Sequence, residues 1–422
     1  MLVQFSVDNF LSIKDKVTFS MVANNKIKKM TENAVSVNIP GLPNVKLLNS
    51  AVLFGANASG KSNLLQAVGF LMQFVSAKIE GRKLDSVEEL IPFRLDKFSK
   101  DEPTSFDLIF ISGGRLYQYE IVLNSKRILR ETLYANYTVQ TSLIFDRQFD
   151  VESEEYDWSY GSKFKRDKII EEKTGRTIPF ITMGAYLNSD LLKEIYEWFL
   201  NKLGVVDLSD GDLPFPITVE AMENNPELRN EFISILQDAD LGIVDIKILE
   251  KPLEELLEAE NIPDDIREKL REEFQGKVSS ELYFSHKVHN SNELENFPMN
   301  FESRGTLKIF SLLGPLNDIY KRGMTVFFDE MCSSLHPLVS RSFIRLFQKY
   351  SMENREMQLI FTTHDSTLLD AQLFRSDQIW MVEKDTIGAT SMNSLDDFKG
   401  RQGEALQRGY LAGRYGGIPY IK

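Results

Sequence analysis

The alternation of hydrophobic and polar positions predicts β-structure in two stretches of the chain. Residues 1–24 contain two runs of period-two alternation, Met1 to Phe10 and Val17 to Val22, joined by a polar turn. Successive side chains of a strand point to opposite faces, so this pattern predicts a β-hairpin. Residues 105–147 continue the alternation in several runs, and the turn signal Ser112-Gly113-Gly114 separates the first two. This second stretch predicts an antiparallel sheet.

Helical spacing dominates between about residues 186 and 290. Apolar positions from Leu191 to Leu203 form one stripe, and a second helix begins at Pro226 and ends near Leu241-Gly242. Such stripes are typical of amphipathic helices that pack on a core. The stretch from Pro252 to Phe274 is strongly acidic, and it is too short for the sustained heptads of a long coiled coil. We expect an exposed helical arm or lid there.

A buried strand, a glycine loop and a helix follow one another between residues 50 and 75. Ser50 to Phe54 is a short apolar run, and the loop from Gly55 to Ser62 has the pattern G-x-x-x-x-G-K-S. Gly55 and Gly60 allow the tight turn that points backbone N–H groups at a phosphate chain. Lys61 supplies a point charge, the Ser62 hydroxyl is the expected Mg²⁺ ligand, and the helix N-terminus favours the same anion. The segment therefore predicts a nucleotide-binding site. The apolar positions at helical spacing after the loop are Leu64, Leu65, Val68, Leu71, Met72 and Val75.

Two polar groups follow apolar runs in the second half of the chain. Thr325 to Phe328 leads into the adjacent carboxylates Asp329 and Glu330. Neighbouring side chains of a strand face opposite sides, so the two acids can differ in role: Asp329 would hold Mg²⁺ and Glu330 would polarise the attacking water. His364 follows a second apolar run, Met357 to Phe361, at the position where it would reach a γ-phosphate. The alternatives are solvated acids at a strand end and a structural histidine.

A third polar segment, Ser303-Arg304-Gly305-Thr306, opens an apolar helix. A serine and a glycine at a helix N-terminus are an anion-binding geometry, although the segment alone is a weak signal.

The composition narrows the class of protein. The chain has 422 residues with 42% hydrophobic and 26% charged content, which is ordinary for a globular protein of two or three domains. The net charge of −13 argues against a broad electrostatic surface for nucleic acid. The single cysteine, Cys332, excludes an internal disulfide framework. Without a signal sequence or an apolar run of about 18 residues, we expect a cytoplasmic protein with no membrane span. Two basic clusters are candidates for a local positively charged patch, and solvated loops are the favoured alternative. These clusters are Lys26, Lys28 and Lys29, and Lys163, Lys165, Arg166 and Lys168.

The order of these features resembles that of an ABC-type ATPase head. After the phosphate loop and a long insertion come Glu302 to Thr306, the Asp329-Glu330 pair, Ser333 to Pro337 and Thr363-His364-Asp365. The chain is similar in this respect to the AAA-type ABC ATPases related to RecF, SMC proteins and OLD-family ATPases. It looks especially close to the bacterial AAA ATP-binding proteins of phage-defence loci. The blocks that carry this last likeness are Phe5 to Phe10, Arg375 to Lys384 and Tyr410 to Pro419.

The resemblance covers roughly residues 1–150 and 295–422, and it implies a fold and a domain plan. The implied fold is α/β, an ATPase head with a mixed central sheet, helices, an antiparallel β subdomain and a helical insertion. Residues 1–150 would be the N-terminal half of the head with the antiparallel subdomain. Residues 151–295 would be a mainly helical insertion or arm, and residues 296–422 would be the C-terminal half.

The resemblance also implies ATP and Mg²⁺ as cofactors and a role for each site residue. Ser303 and Gly305 would form the signature segment, which contacts ATP bound on the opposite subunit. Ser62 and Asp329 would hold the metal, and Glu330 and the switch histidine His364 would be catalytic. Ser333 to Pro337 would be the D-loop, and Gln118 is one candidate for the Q-loop glutamine, with an ordinary strand position as the alternative. The implied ATP-binding residues of the Walker A segment are Gly55, Asn57, Ser59, Gly60, Lys61, Ser62 and Asn63.

The expected function is an ATPase that acts as a nucleotide-gated switch through head–head assembly. The implied partners are a second copy of the chain, in a dimer or larger homo-oligomer, and a separate effector such as a nuclease, in defence against phage. The alternative is a RecF- or SMC-like ATPase of DNA repair or chromosome maintenance that binds DNA. A nucleotide-dependent nuclease ranks third, because the sequence shows no second acidic metal cluster.

Overall fold

The computed structural model of the chain describes residues 1–79, 87, 89–138, 140–208, 213–239, 242–252, 267, 278–398 and 406–418. The chain forms two compact units. Unit 1 contains Met1–Asp210, Asp318–Ser333 and Phe343–Lys422, and unit 2 contains Gly211–Asn317 and Ser334–Ser342. Almost all of the acidic stretch from Pro252 to Phe274, the predicted arm, lies outside the described residues.

Strands and helices are numbered here in chain order. The strands are β1 (Leu2–Asp8), β2 (Val17–Ser20), β3 (Ala34–Ser36), β4 (Lys46–Leu48), β5 (Ser50–Phe54), β6 (Thr104–Ser112), β7 (Arg115–Leu123), β8 (Ile128–Asn136), β9 (Thr141–Phe149), β10 (Tyr156–Tyr160), β11 (Leu203–Asp207), β12 (Ile243–Pro252), β13 (Val278–Lys287), β14 (Leu294–Pro298), β15 (Thr325–Asp329), β16 (Gln358–Thr363), β17 (Ile379–Lys384) and β18 (Thr390–Ser394). The helices are α1 (Lys61–Ser76), α2 (Lys168–Lys173), α3 (Phe180–Tyr186), α4 (Asp190–Asn201), α5 (Phe215–Asn224), α6 (Pro226–Asp238), α7 (Arg304–Arg322), α8 (Pro337–Glu353) and α9 (Leu406–Leu411).

An antiparallel sheet of seven strands forms one layer of unit 1, in the order β10-β9-β8-β7-β6-β1-β2. The alternation of its sequence has the predicted cause, because every second residue of β6 and β7 is buried. The predicted N-terminal hairpin is confirmed by the pairing of Gln4 with Ser20. The predicted sheet over residues 105–147 is confirmed as β6 to β9. The pairing of β1 with β6, which joins the hairpin to that sheet, has no signal in the local pattern.

A second sheet of unit 1 has the order β11-β15-β16-β5-β17-β18. Its first five strands run parallel, and β18 pairs antiparallel with β17 at one edge. Every residue of β5, β15 and β16 is buried, which explains why these strands are continuous apolar runs rather than alternating ones. The predicted mixed central sheet with an additional antiparallel subdomain is therefore confirmed.

One hydrophobic core joins the two sheets of unit 1. Buried side chains of both sheets and of α1, α3 and α4 belong to the same cluster. Phe19 of β2 makes ring contacts with Phe327 of β15 and Trp380 of β17, at centroid distances of 6.2 and 5.3 Å. The hairpin thus packs directly on the sheet that carries the phosphate loop.

Unit 2 has its own core. The strands β12, β13 and β14 form an antiparallel sheet. Apolar side chains of β12 and β13 cluster with those of α5, α6 and the first turns of α7. Phe284 of β13 meets Phe310 of α7 edge-on at 5.4 Å. Gly314 allows a close approach of α5, because a Cβ there would lie 2.5 Å from the backbone nitrogen of Thr218. The Thr218 hydroxyl accepts a hydrogen bond from the Gly314 N–H at 2.9 Å.

The middle of the chain differs from the expected plan. Residues 151–207 belong to unit 1 rather than to a separate insertion, and they add β10 and β11 to its two sheets. The two predicted helices are present as α4 and α6, but β12, β13 and β14 were not expected. Ile246 and Ile248 alternate with charged residues in β12, and this short period was obscured by the helical stripes on either side. Within the described part of the chain, no helix is long and apolar enough to cross a membrane.

Candidate functional site

The phosphate loop lies between β5 and α1 and is packed from two sides. A Cβ at Gly55 would lie 2.3 Å from the Val382 carbonyl oxygen of β17. Gly60 has φ +104°, and a Cβ there would lie 2.0 Å from the Thr390 hydroxyl oxygen. Both glycines are therefore required by close backbone packing, and Gly60 also by its left-handed conformation.

The Lys61 side chain is folded back onto the loop. It is 8% exposed, and its Nζ donates hydrogen bonds to the Gly55 and Ala56 carbonyl oxygens at 2.8 and 2.9 Å. Burial lowers the pKa of the Lys61 ammonium, and the charges of Asp329 and Glu330 partly offset this effect. The ammonium thus lies within the electrostatic reach of both carboxylates, which brings the two predicted motifs into one site.

The loop has the features of a phosphate cradle. The Ser59 hydroxyl is buried and has no hydrogen-bond partner, so it is an unused donor next to the glycine backbone. Ser62 is half-buried in the first turn of α1, and Asn57 is exposed at the loop tip. Backbone N–H groups at the start of the 16-residue helix α1 have no intrahelical partners and favour an anion. These residues fit the phosphates of a nucleotide with its Mg²⁺ ion.

A buried polar network, which the sequence analysis missed, holds the loop from behind. The Ser12 hydroxyl lies 2.7 Å from the Thr390 hydroxyl and accepts a hydrogen bond from the Asn63 amide at 2.5 Å. Thr390 also donates to the Ser59 carbonyl oxygen at 3.1 Å. Asn63, predicted to bind nucleotide, therefore uses its side chain to anchor α1 to the hairpin turn. Ser12 and Thr390 are far from the loop in sequence, so no local spacing could have indicated them.

The two acids at the end of β15 are held by Thr362 of the neighbouring strand. The Thr362 hydroxyl donates to an Asp329 carboxylate oxygen and accepts a hydrogen bond from the Glu330 N–H at 2.8 Å. The strand ends at Asp329, and Glu330 has the left-handed φ of +49°. Glu330 lies beyond the strand, so the expected alternation of strand side chains does not apply to it. Its backbone turn rather than the strand period gives the second acid its own direction.

His364 directly follows β16, the strand that lies between β15 and β5. Thr363 pairs with Phe54, the last residue before the phosphate loop. The His364 side chain is exposed, and Asp365 caps the next turn by accepting the Thr367 N–H at 2.9 Å. Three adjacent parallel strands therefore end with the phosphate loop, the histidine and the acidic pair at one edge of the sheet. This edge is the usual ligand site of parallel α/β sheets.

The predicted signature segment belongs to unit 2. Ser303 caps α7, and its hydroxyl oxygen accepts the Thr306 N–H at 3.1 Å. A Cβ at Gly305 would lie 3.0 Å from the Ser334 carbonyl oxygen of the predicted D-loop. Glu302 lies next to the cap, and its carboxylate contacts His286 Nε2 of β13 at 2.6 Å. The segment and Ser334 therefore form one local structure.

Gln118 lies on β7 in the antiparallel sheet. Its amide nitrogen donates to Asp107 at 3.1 Å and to Glu120 at 2.8 Å. These are contacts along and across strands, so the ordinary strand interpretation of Gln118 explains its side chain.

Comparison with solved structures finds SMC head domains. One is an SMC head bound to the C-winged helix domain of ScpA. It is 13% identical to this chain with a TM-score of 0.44, and the match covers 93% of this chain and 97% of that chain. The SMC head domain from Thermotoga maritima has 13% identity, coverages of 93% and 98%, and a TM-score of 0.40. An SMC head with an extended coiled coil, bound to the C-terminal domain of ScpA derived from Pyrococcus furiosus, has 12% identity, coverages of 94% and 97%, and a TM-score of 0.37. Similarity at this level says nothing about activity.

The comparison with protein families is more specific. A search of curated proteins finds no match. Residues 50–370, which extend from β5 past β16 and include the phosphate loop, the acidic pair and His364, match the family described as "AAA domain, putative AbiEii toxin, Type IV TA system". This match covers more than half of the chain, which therefore belongs to this family of AAA ATPase domains.

Proposed function

We propose that the chain binds and hydrolyses ATP and works as a nucleotide-gated switch through assembly of two heads. The observation that carries the proposal is the order of three adjacent parallel strands, β15, β16 and β5, which end with the acidic pair, His364 and the phosphate loop. The Lys61 ammonium is anchored in that loop. Phosphoryl transfer to water requires a cation that binds phosphate, an acid that holds the metal and an acid that acts on the water. This site has a lysine and two acids that differ in backbone conformation.

Different residues of unit 1 would bind the phosphates and the Mg²⁺ ion of the nucleotide. The N–H groups from Gly55 to Gly60 and the Ser59 hydroxyl would bind phosphate oxygens. Lys61 would exchange the two carbonyl oxygens that it now contacts for phosphate oxygens, which are stronger acceptors because they are charged. Ser62 and Asp329 would hold Mg²⁺, and the bound Mg²⁺–ATP would supply the anhydride bond that is hydrolysed.

Glu330 and His364 would act on the water and on the terminal phosphate. The Glu330 carboxylate would accept a proton from the water, as a general base. Thr362 would orient both acids, because one hydroxyl contacts the Asp329 carboxylate and the Glu330 N–H. The exposed imidazole of His364 would donate a hydrogen bond to an oxygen of the terminal phosphate, which the water attacks as the bond to ADP breaks.

The role of Ser303 and Gly305 would be to complete the site of a second copy. The capped N-terminus of the 19-residue helix α7 presents backbone N–H groups beside Gly305, which has no side chain. Contacts between this helix end and a nucleotide held by the partner would form charge-assisted hydrogen bonds across the interface. Hydrolysis would weaken these contacts and separate the heads.

The test is the mass of Glu330→Gln protein in solution, measured by light scattering after gel filtration with and without ATP and Mg²⁺. The change removes the general base and keeps a side chain of the same size, so ATP should persist and the mass should double or rise further only with ATP. The matched control is Glu330→Gln combined with Lys61→Ala, which should stay at the lower mass. A monomeric mass for Glu330→Gln under both conditions would refute assembly through shared sites.

The proposed cellular role is control of a separate effector in defence against phage, in the cytoplasm. The description of the family, which names a type IV toxin–antitoxin system, supports a defence setting. An effector should co-purify with Glu330→Gln protein in an ATP-dependent manner. The DNA-repair alternative predicts duplex binding that weakens steeply between about 50 and 200 mM salt. The net charge of −13 favours the protein partner.

A further inference from the structure

The C-terminal segment from Leu406 to Ile418 reaches the phosphate loop. A Cβ at Gly417 would lie 3.5 Å from the Gly55 Cα and 3.5 Å from the Val382 carbonyl oxygen. The same carbonyl oxygen faces Gly55 from β17. Three backbone stretches, from the loop, β17 and the C-terminal segment, therefore meet at Gly55, beside the side chains of Ser59 and Tyr410.

Two hydrogen bonds hold Gly417 in this place, one of them buried. The Tyr410 hydroxyl, which belongs to a 5% exposed side chain, donates to the Gly417 carbonyl oxygen at 2.9 Å. The Tyr410 ring lies 6.3 Å from the Phe54 ring at the end of β5. A carboxylate oxygen of Glu383 accepts the Gly417 N–H at 3.2 Å. Burial raises the pKa of Tyr410, so its hydroxyl keeps the proton that it donates.

The other end of the segment lies beside the loop that follows His364. Helix α9 packs on the turn Ser366–Leu368, and the Gln407 amide donates to the Ser366 hydroxyl at 3.3 Å. The segment therefore touches both the strand end that begins the phosphate loop and the turn after the histidine.

We infer that the C-terminal segment is a positioning element of the nucleotide site, with Gly417 and Tyr410 as its key residues. Gly55 provides one of the two carbonyl oxygens that anchor Lys61. By fixing the backbone at Gly55, the segment sets the start of the phosphate loop and the place of the ammonium. Its link to Ser366 connects that start to the loop after His364. This inference rests on the proposed binding of ATP and adds residues about 350 positions away from the loop.

The test compares two alanine substitutions at glycines of the same segment. Gly417 and Gly413 have φ of +69° and +75°, so alanine imposes a similar backbone cost at either position. Only Gly417 faces the phosphate loop, because a Cβ at Gly413 would meet the side chain of Ile418 alone. The readouts are the affinity of the full-length protein for a fluorescent ATP analogue with Mg²⁺, measured well below the melting temperature, and the melting temperature without nucleotide.

We expect Gly417→Ala to weaken binding of the analogue by about tenfold, a loss of about 1.4 kcal/mol. Gly413→Ala should lower the melting temperature about as much as Gly417→Ala does, but it should keep its affinity for the analogue within about twofold of the wild type. A purely structural role would make the two variants alike in both readouts. Tyr410→Phe keeps the ring and removes only the hydroxyl, so it should weaken binding by about threefold to tenfold. Because the Gly417 carbonyl oxygen loses a buried hydrogen bond, the melting temperature should also fall, by less than about 4 °C.

The outcomes separate this inference from the proposed function. Wild-type affinity in both Gly417→Ala and Tyr410→Phe would refute the positioning role alone. If Gly417→Ala does not fold, Tyr410→Phe decides by itself. Failure of the wild-type chain to bind the analogue would refute the proposed function and, with it, the inference.

Discussion

The substitution Thr362→Val tests the geometry of the acidic pair most directly. Valine replaces the hydroxyl by a methyl group of similar size at a side chain that is fully buried, so no cavity forms. The change removes the hydrogen bond to the Asp329 carboxylate and leaves the Glu330 N–H without its acceptor. Both acids lose their common anchor while their own side chains stay intact.

The magnitude follows from the two bonds. A hydrogen bond to a charged group contributes about 1.5–3 kcal/mol, and loss of the acceptor of the part-buried Glu330 N–H costs about 1 kcal/mol. We therefore expect the free energy of unfolding to fall by about 3 kcal/mol, which corresponds to about 5–10 °C in melting temperature. The left-handed backbone of Glu330 costs about 1–2 kcal/mol. Thr362 holds its N–H and Ser333 holds its carbonyl oxygen, so loss of the Thr362 contact should let the carboxylate move. Misplacement by about 1 Å can lower kcat about a hundredfold.

Thr325→Val is a matched control on the same sheet. The Thr325 hydroxyl also donates to a side-chain oxygen, that of Gln358 at 2.8 Å, and accepts a backbone N–H, that of Leu2 at 3.3 Å. Thr325 begins β15, whereas Thr362 lies beside the end of that strand. Thr325→Val should lose stability and keep kcat within about twofold.

The assay is phosphate release at saturating ATP, together with nucleotide affinity and thermal melting of both variants. We expect Thr362→Val to lower kcat more than the affinity for Mg²⁺–ATP, because the phosphate loop keeps its contacts whereas Asp329 and Glu330 lose theirs. Equal kcat values for Thr362→Val and Thr325→Val would refute the role of Thr362 in orienting the acids.

Three further changes test other parts of the structure. Gly60→Ala should abolish nucleotide binding, measured by fluorescence of an ATP analogue, because its Cβ would overlap the Thr390 hydroxyl; retained binding would contradict the packing of the loop. Arg147→Met should lower the free energy of unfolding in urea by about 3–5 kcal/mol, since it leaves the buried Glu131 carboxylate, 3.6 Å from the guanidinium, without a counter-charge. The double variant with Glu131→Gln should recover part of this loss, and no recovery would mean that the ion pair is not the cause. Ser303→Ala removes the cap of α7, so the free energy of unfolding, measured by thermal melting, should fall by about 1 kcal/mol. In the Glu330→Gln background the substitution should also prevent the ATP-dependent rise in mass, and an unchanged rise would exclude Ser303 from the interface.

The sequence by itself determined the local parts of this protein. The phosphate loop is contiguous, and its glycines, lysine and helix start occur together, so one stretch contains the whole signal. The buried strands β5, β15 and β16 were readable because a strand covered on both faces is an apolar run. The start of a helix after Ser303 was predicted from the apolar positions that follow it, whereas the bond by which Ser303 caps α7 was found only in the structure.

Tertiary structure decided which of these parts meet. The order β15-β16-β5 sets the acidic pair, the histidine and the loop side by side, and it depends on the pairing of β16 with β5, about 300 positions away in the sequence. Ser12 and Thr390 have no motif of their own, and they contact the loop only because the N-terminal hairpin turn and β18 pack against it. Gly417 belongs to one of the blocks that carry the family likeness, but its place beside Gly55 is a result of tertiary packing. The periodicity of a strand or helix depends only on neighbouring residues. Which distant segment it packs against depends on the shape and hydrogen-bonding capacity of both surfaces.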